Sequence, residues 1–374
     1  MVDQHRKIIG GRSMERRISI CGRQWTIEGN ESDHYFSKLT DEFEPHLVSM
    51  LEAMCGEGNL ALDIGANIGC TALALSQIVG NGRVAAFEPV PRTFAYLSKN
   101  AEAVPNVAIH NFALGKEPGT LPMQGAEGDS SGAFIANQFH IGNAGYFQVD
   151  VPVRRLDDAF PSLGLDRVDF IKIDVEGFEL DVFEGAAETL RRFKPRVVLE
   201  MNHFCLNMFR RMTYPEFRER LLRIFPCVFA IDGARYVDLT SESDAYSVGY
   251  EHIVMFRFPN LVAGFDRDDL ISRISVLQRS LQKQADDARV AAEAEVIRQQ
   301  SEAESLRAER DALRRERDNL ESALADCVSR AKQLEIEKHA LLDSTSWRVT
   351  QPLRSLKKLF TKKAPDFTGP GLSR

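Results

Sequence analysis

The sequence predicts an α/β domain built on a mostly parallel sheet with helices on both faces, followed by a long α-helical coiled coil. Three observations predict it. Between residue 60 and about residue 258, short apolar runs rich in Val, Ile, Leu and Phe alternate with amphipathic segments of helical period, the pattern of strands buried on both faces and joined by crossover helices. One strand-to-helix passage, LALDIGANIGCTALAL over residues 60–75, carries its glycines in the turn. Residues 270–343 contain neither proline nor glycine, and from position 306 an apolar residue recurs every seventh place, which is a coiled-coil seam.

The elements follow in order. Residues 16–27 read as a hairpin and 42–55 as a helix with Leu47, Leu51 and Met54 on one face, so residues 1–58 form a hairpin-and-helix cap. The apolar runs LALDIGA, RVAAFEP, VAIHNFAL, VDFIKIDVEG and RVVLEMN are the strands, and 68–79, 91–103 and 178–192 are the helices between them. Together they make a domain over 59–265. Residues 115–150, rich in Gly, Ser, Asn and Gln, break the alternation and are expected to form an excursion over the ligand edge of the sheet, placed as a lid would be. The coiled coil occupies 266–343. Leu270, Ile274, Leu277 and Leu281 give one register; Leu306, Leu313, Leu320, Cys327, Leu334 and Leu341 give another, one residue out of step. With the second set at d positions, Arg310, Arg317 and Lys338 fall at a positions, a weakly cohesive seam that favours few strands. A leucine stripe on a 70-residue helix, roughly 110 Å long, needs a partner, and self-association is expected. The spacing leaves strand number and orientation open. The tail, 344–374, interleaves Arg348, Arg354, Lys357, Lys358, Lys362 and Lys363 with Trp347, Leu353, Leu356, Leu359 and Phe360. It is either a basic amphipathic segment lying on an anionic membrane surface or a disordered basic tail.

Bulk properties narrow the function. Of the 374 residues 44% are hydrophobic, enough for a sizeable core, and the net charge of −7 argues against nucleic acid as a partner. The six cysteines, at 21, 55, 70, 205, 227 and 327, form no CxxC pair, so reduced thiols and a cytoplasmic location are expected. No apolar run reaches the length of a membrane span or of a secretory signal.

The glycine turn selects a ligand. A nicotinamide-type loop needs G-x-G-x-x-G so that the backbone can approach a pyrophosphate. Here Asn67 stands where the middle glycine would be, between Gly65 and Gly69, and Asp63 precedes the loop. A carboxylate there would repel a diphosphate and suit a cation. S-adenosylmethionine has a sulfonium, an ammonium and no phosphate, so Asp63 is expected to attract the ammonium, Gly65 to let the chain turn beneath the ligand and Gly69 to allow close packing of the helix. Glu88 closes the next strand 19 residues past Gly69, where an acid accepts hydrogen bonds from both ribose hydroxyls. It would serve NAD equally well.

The segments DIGANIGCTALALS, AFEPVPRTFAYLSKN, NFALG, RRLDD and VDFIKIDVEGFELDVFEGA resemble the FkbM family of S-adenosylmethionine-dependent methyltransferases over roughly residues 35–258. The resemblance implies a Rossmann-like class I methyltransferase sheet, S-adenosylmethionine as cofactor, and O-methylation of a hydroxyl, often on a sugar. It maps Asp63, Gly65, Ala66, Asn67, Gly69 and Glu88 onto cofactor positions and Ala113 near the adenine. The tail stretch LLDSTSWRVTQPLRSLKKL is similar to C-terminal segments of bacterial surface-polysaccharide enzymes, which implies a glycan substrate and a place at the inner face of the cytoplasmic membrane.

Chemistry belongs at the carboxyl ends of the strands. Asp174 and Glu176, two apart in DFIKIDVEG, face the same way if the strand continues; Asp174 is the first candidate for base or substrate orienter, with a helix cap as its alternative, and Glu176 is a substrate contact, a cap on the next helix, or a partner of Lys172 or of a backbone amide. Glu200, Asn202 and His203 end the following strand; His203 has a suitable intrinsic pKa for proton removal, with Glu200 a second carboxylate and Asn202 a substrate contact. Asp157, in RRLDD, could orient the substrate or stabilise a turn. Asp174, Glu176 and Glu200 could gather magnesium, but nothing in their spacing demands it and no metal is expected. Two other functions fit less of the sequence: a coiled-coil scaffold of a polysaccharide assembly with a methyltransferase-like binding domain, and a nicotinamide-dependent oxidoreductase, against which Asp63 and Asn67 weigh.

Overall fold

A computed structural model describes residues 12–350 and 352–354. Two compact units divide these residues, one running to Asp287 and the other from Ala288. The first opens with an antiparallel hairpin, β1 (Ser13–Ile20) and β2 (Arg23–Asn30), longer than the predicted 16–27. Its two-residue turn, Cys21 and Gly22, has positive φ at both positions, the geometry that matches strand twist. Two helices follow, α1 (His34–Lys38) and α2 (Pro45–Met54).

The doubly wound core comes next. Strand β3 (Leu60–Ile64) leads through the glycine turn to α3 (Cys70–Val79), then β4 (Arg83–Phe87), α4 (Pro91–Ala101) and β5 (Val107–His110). The excursion is not irregular chain. It forms a small sheet of β6 (Ala113–Leu114), β7 (Gly119–Ala126), β8 (Phe134–Ile135) and β9 (Tyr146–Arg154) in the order β6-β9-β7-β8. After α5 (Leu156–Ala159), the chain re-enters the main sheet as β10 (Phe170–Ile173). The predicted helix 178–192 is two helices, α6 (Glu179–Gly185) and α7 (Ala187–Phe193), which meet at Ala186. They are followed by β11 (Arg196–Glu200), α8 (His203–Arg210) and α9 (Tyr214–Ile224). Three antiparallel strands complete the sheet: β12 (Cys227–Asp232), β13 (Arg235–Asp238) and, after α10 (Glu242–Met255), β14 (Asn260–Gly264).

The main sheet runs β13-β12-β14-β11-β10-β3-β4-β5, parallel from β11 to β5. Strand order reverses between β3 and β10, and ligands of open α/β sheets bind beyond the carboxyl ends at such a switch point. Alternation along the strands supplies both cores. Leu62, Ile64, Ile171, Ile173, Val197 and Leu199 face one. Ala61, Ala86, Phe170, Val198 and Val262 face the other, beside α2, α3 and the hairpin.

The last helix of any length, α11 (Arg267–Asp343), is continuous, with a short α12 (Thr345–Val349) after it. Its start corrects the sequence reading. Leu270, Ile274, Leu277 and Leu281 are buried in the second of these cores, so the upstream register is intramolecular packing rather than coiled-coil seam. A four-three spacing serves either purpose. Of the predicted tail, Lys357, Lys358, Lys362, Lys363, Leu356, Leu359 and Phe360 lie outside the described residues. Among the described residues no helix is long and apolar enough to cross a membrane.

Candidate functional site

A cavity of about 360 Å³ opens at the switch point, lined by the glycine turn, the ends of β4, β10 and β11, the small sheet and the segment around α1 and α2. Gly65 shapes its floor. Its φ is +85°, and a Cβ there would stand 1.9 Å from the Asp174 carbonyl oxygen, so only glycine lets β3 and β10 end this close together. Gly69 begins α3 in the left-handed region, and a Cβ would meet Leu97 Cδ1 at 2.8 Å. Its role is packing of α3 on α4; it does not line the cavity. Asn67, Glu176 and Glu44 all line it, and all three hold positive φ without being glycine. Such strain costs on the order of 1–3 kcal/mol per residue and persists where function demands a geometry.

Glu88 reaches into the cavity while almost fully buried. Its Oε2 accepts from the Asn67 backbone N–H at 3.0 Å and its Oε1 from Val90 N–H at 2.8 Å. Each oxygen keeps a lone pair for a diol. Burial pushes its carboxyl up to about 8. Beside it, Phe87, Phe112, Ala113 and Phe178 form an apolar wall suited to a flat base.

Asp63 is placed differently from expectation. It is wholly buried, does not line the cavity, and neither carboxylate oxygen has a hydrogen bond. Its cross-strand neighbour is Lys172, whose Nζ stands 3.8 Å from Asp63 and 3.6 Å from Asp174. Burial raises the Asp63 carboxyl to about 6 even with Lys172 pulling it down. Burial alone would lower Lys172, but Asp174 and then Asp63 hold its ammonium above the usual lysine range. The cation that sequence reasoning assigned to a ligand is therefore supplied by the chain itself. The sequence marked Lys172 only as a partner for Glu176, although a lone charge inside the apolar run FIKI was a sign of a buried pair.

The acid cluster is real, by another route than strand alternation. Strand β10 ends at Ile173, and a turn with Glu176 at φ 53° and Gly177 at φ 93° brings Asp174 and Glu176 together. With Glu200 from β11 they offer three carboxylate oxygens within 4.8 Å of one another. Asp174 beside it, and then burial, hold Glu200 well above the carboxylate range. Burial, and then Asp174, push Glu176 up to about 8. The cluster thus retains a proton at neutral pH, the behaviour of like charges forced together. Glu176 accepts from Cys205 Sγ at 2.8 Å and does not cap the next helix; Glu179 accepts from the Val175 and Gly177 N–H groups instead.

Three further expectations are corrected. Asn202 is the N-cap of α8, accepting from Phe204 and Cys205 N–H. His203 packs edge-on against His252 at 5.0 Å, beside Phe256, and stays outside the cavity lining. Asp157 accepts from Glu188 N–H, Thr189 N–H and the Thr189 hydroxyl, capping α7. All three sit near strand or helix ends, where short polar side chains satisfy orphan backbone groups. Conversely, Tyr35, Ser130 and Ser131 line the cavity from stretches with no periodicity to mark them, and Glu44 lines it from within the predicted helix 42–55, off its apolar face.

In sum the lining sets five carboxyl groups, those of Glu44, Glu88, Asp174, Glu176 and Glu200, against one cation, Lys172. The lining's one ammonium already stands between Asp63 and Asp174, so the cavity holds no cation free for a diphosphate, whereas a sulfonium nucleoside needs none and brings a ribose diol to Glu88.

Comparison with known proteins agrees with this chemistry. A model of the methyltransferase FkbM domain matches residues 63–226, which include the glycine turn, Glu88 and the acid cluster. The chain is similar to the 2-O-methyltransferase NoeI of Sinorhizobium fredii, 30% identical over 195 residues, covering 49% of this chain and 78% of that one. It is similar to the hexuronic acid methyltransferase AglP of Haloferax volcanii, 28% identical over 180 residues, covering 48% and 70%. Among solved structures, the methyltransferase FkbM from Methylobacillus flagellatus aligns at 19% identity over 46% of this chain and 38% of that one, with a TM-score of 0.31.

Proposed function

Since the chain belongs to the FkbM family of S-adenosylmethionine-dependent methyltransferases, we propose that it methylates a hydroxyl of a sugar or polysaccharide intermediate. The observation carrying this reading is the cluster of Asp174, Glu176 and Glu200 in the same cavity as Glu88. Bound in that cavity, S-adenosylmethionine supplies an electrophilic methyl on sulfur. Glu88 accepts the ribose hydroxyls, and the ring wall of Phe87, Phe112 and Phe178 covers the base. Asp174, with more than a third of its side chain exposed, takes the proton of the substrate hydroxyl, and Lys172 at 3.6 Å orients it. A positioned base contributes about 10²–10⁴-fold, and alignment contributes further. Tyr35, Ser130 and Ser131 add hydroxyl groups to the lining, which favours a polyhydroxylated substrate. The names of the two relatives, a 2-O-methyltransferase and a hexuronic acid methyltransferase, support the same substrate class.

Incubation with methyl-labelled cofactor and a panel of saccharides tests it. Label should appear as a methyl ether on a sugar, and Asp174→Asn should slow turnover by at least about a hundredfold. Label on nitrogen, or an unchanged rate in Asp174→Asn, would refute the assignment.

A further inference from the structure

In the second unit, α11 leaves its stripe uncovered. Leu306, Leu313, Leu320, Leu334 and Leu341 are 59%, 59%, 65%, 55% and 62% exposed. A stripe of this regularity calls for a helical partner, and the residues flanking it identify one. With these leucines at d, the g positions hold Glu302, Glu309, Glu316 and Arg330, and the e positions hold Arg307, Arg314, Glu321 and Glu335. In a parallel, unstaggered pair each g residue faces the e residue five places on in the other helix. Glu302 then meets Arg307 of the second copy, Glu309 meets Arg314, and Arg330 meets Glu335. Only Glu316 against Glu321 repels. We propose that residues 302–342 bind a second copy of this chain as a parallel, in-register, two-stranded coiled coil.

Strand number follows from the a positions. Arg310 and Arg317 pair with Asp311 at 2.8 Å and Asp318 at 2.6 Å on their own helix. They can lean to the edge of a two-stranded seam while their stems cover apolar surface, whereas a three- or four-stranded core would enclose them. Orientation follows from the balance of charge. With the stripe overlapped end to end, the reversed arrangement keeps two attractive pairings, Arg330 with Glu309 or Glu316 and Glu335 with Arg307 or Arg314, where the parallel one has three; it also sets Glu337 against Glu302 or Glu309 of the second copy and layers Cys327 on Arg317. The parallel register instead stacks Cys327 on Cys327.

That last consequence gives the test. Cys327 is exposed, while the other five cysteines are buried or partly so. The full chain is sedimented at micromolar concentration, then treated with diamide, which takes two electrons and two protons from a pair of thiols as the S–S bond forms. The expected result is twice the chain mass and a covalent dimer in non-reducing electrophoresis. Cys327→Ser should abolish the covalent link and keep the sedimenting dimer. Arg307→Glu with Arg314→Glu should weaken association by roughly tenfold or more, and adding Glu302→Arg with Glu309→Arg should restore it. A monomer, a larger assembly, a dimer that does not cross-link through Cys327, or a quadruple variant that stays weak would each overturn the proposal.

Discussion

Replacing Lys172 by Met removes the one cation beneath the acid cluster and leaves Asp63 buried without a partner. The loss is set by Asp63, which is 0% exposed, has no hydrogen bond to either oxygen, and has Lys172 3.8 Å away as its counter-charge. Breaking a buried pair from one side costs about 3–5 kcal/mol. The pH dependence has a definite sign. With Lys172 present, burial raises Asp63 from 3.8 to about 6, so between those values the folded chain holds a proton that the unfolded chain has released. Stability from this group is therefore full at acid pH and falls as pH rises through about 6. Without Lys172 the carboxyl rises further, and the fall continues to higher pH at up to about 1.4 kcal/mol per unit. Urea denaturation of wild type and Lys172→Met should therefore differ by about 3–5 kcal/mol at pH 8, and the difference should shrink by up to about 3 kcal/mol towards pH 6. Asp63→Asn in the same background should recover most of the difference. Parallel stability curves, or no recovery with Asp63→Asn, would refute the pairing.

The other predictions test the site. Gly65→Ala places a methyl against the Asp174 carbonyl and forces a left-handed alanine; it should cost about 2–5 kcal/mol in thermal unfolding and abolish cofactor binding by calorimetry. Methyl transfer should rise with pH through about 8, because Glu176 is pushed up to about 8 and Glu200 above the carboxylate range. In a pH–rate series, Glu176→Gln should move that limb to lower pH, since it takes a like charge from beside Glu200. Exhaustive chelation should leave the rate unchanged, because Glu176 and Glu200 hold on to protons where a metal would need carboxylates; loss of activity restored by magnesium would show that the cluster binds a metal.

The sequence revealed the parts of the fold that repeat locally. Each parallel strand was a short apolar run, and Gly65 with Gly69 marked the turn that fixes the site. The antiparallel strands β12 to β14 were missed because their helical partners do not alternate with them one for one. Leu270 to Leu281 were read as seam because the same spacing packs a helix on a domain or on another helix. Within the site, Glu88, Ala113 and the trio Asp174, Glu176 and Glu200 were legible, as acids or small residues at strand ends. Lys172 was underweighted because a charge inside a buried strand becomes intelligible only beside its cross-strand neighbour, Asp63. Tyr35, Glu44, Ser130 and Ser131 reach the cavity by long-range folding that no local pattern encodes. Asn202, His203 and Asp157 drew attention by their chemistry, although two of the three are caps and the third packs against another ring.

On this reading the carboxyl-rich cavity at the β3–β10 switch point takes a sulfonium nucleoside through Glu88. Isothermal titration calorimetry of the full chain with S-adenosylmethionine and with NAD tests it most directly. One S-adenosylmethionine site per chain is expected, weakened about tenfold or more in Glu88→Ala as two hydrogen bonds to the ribose are lost, with no heat for NAD. Equal or tighter binding of NAD, or unchanged S-adenosylmethionine affinity in Glu88→Ala, would contradict it.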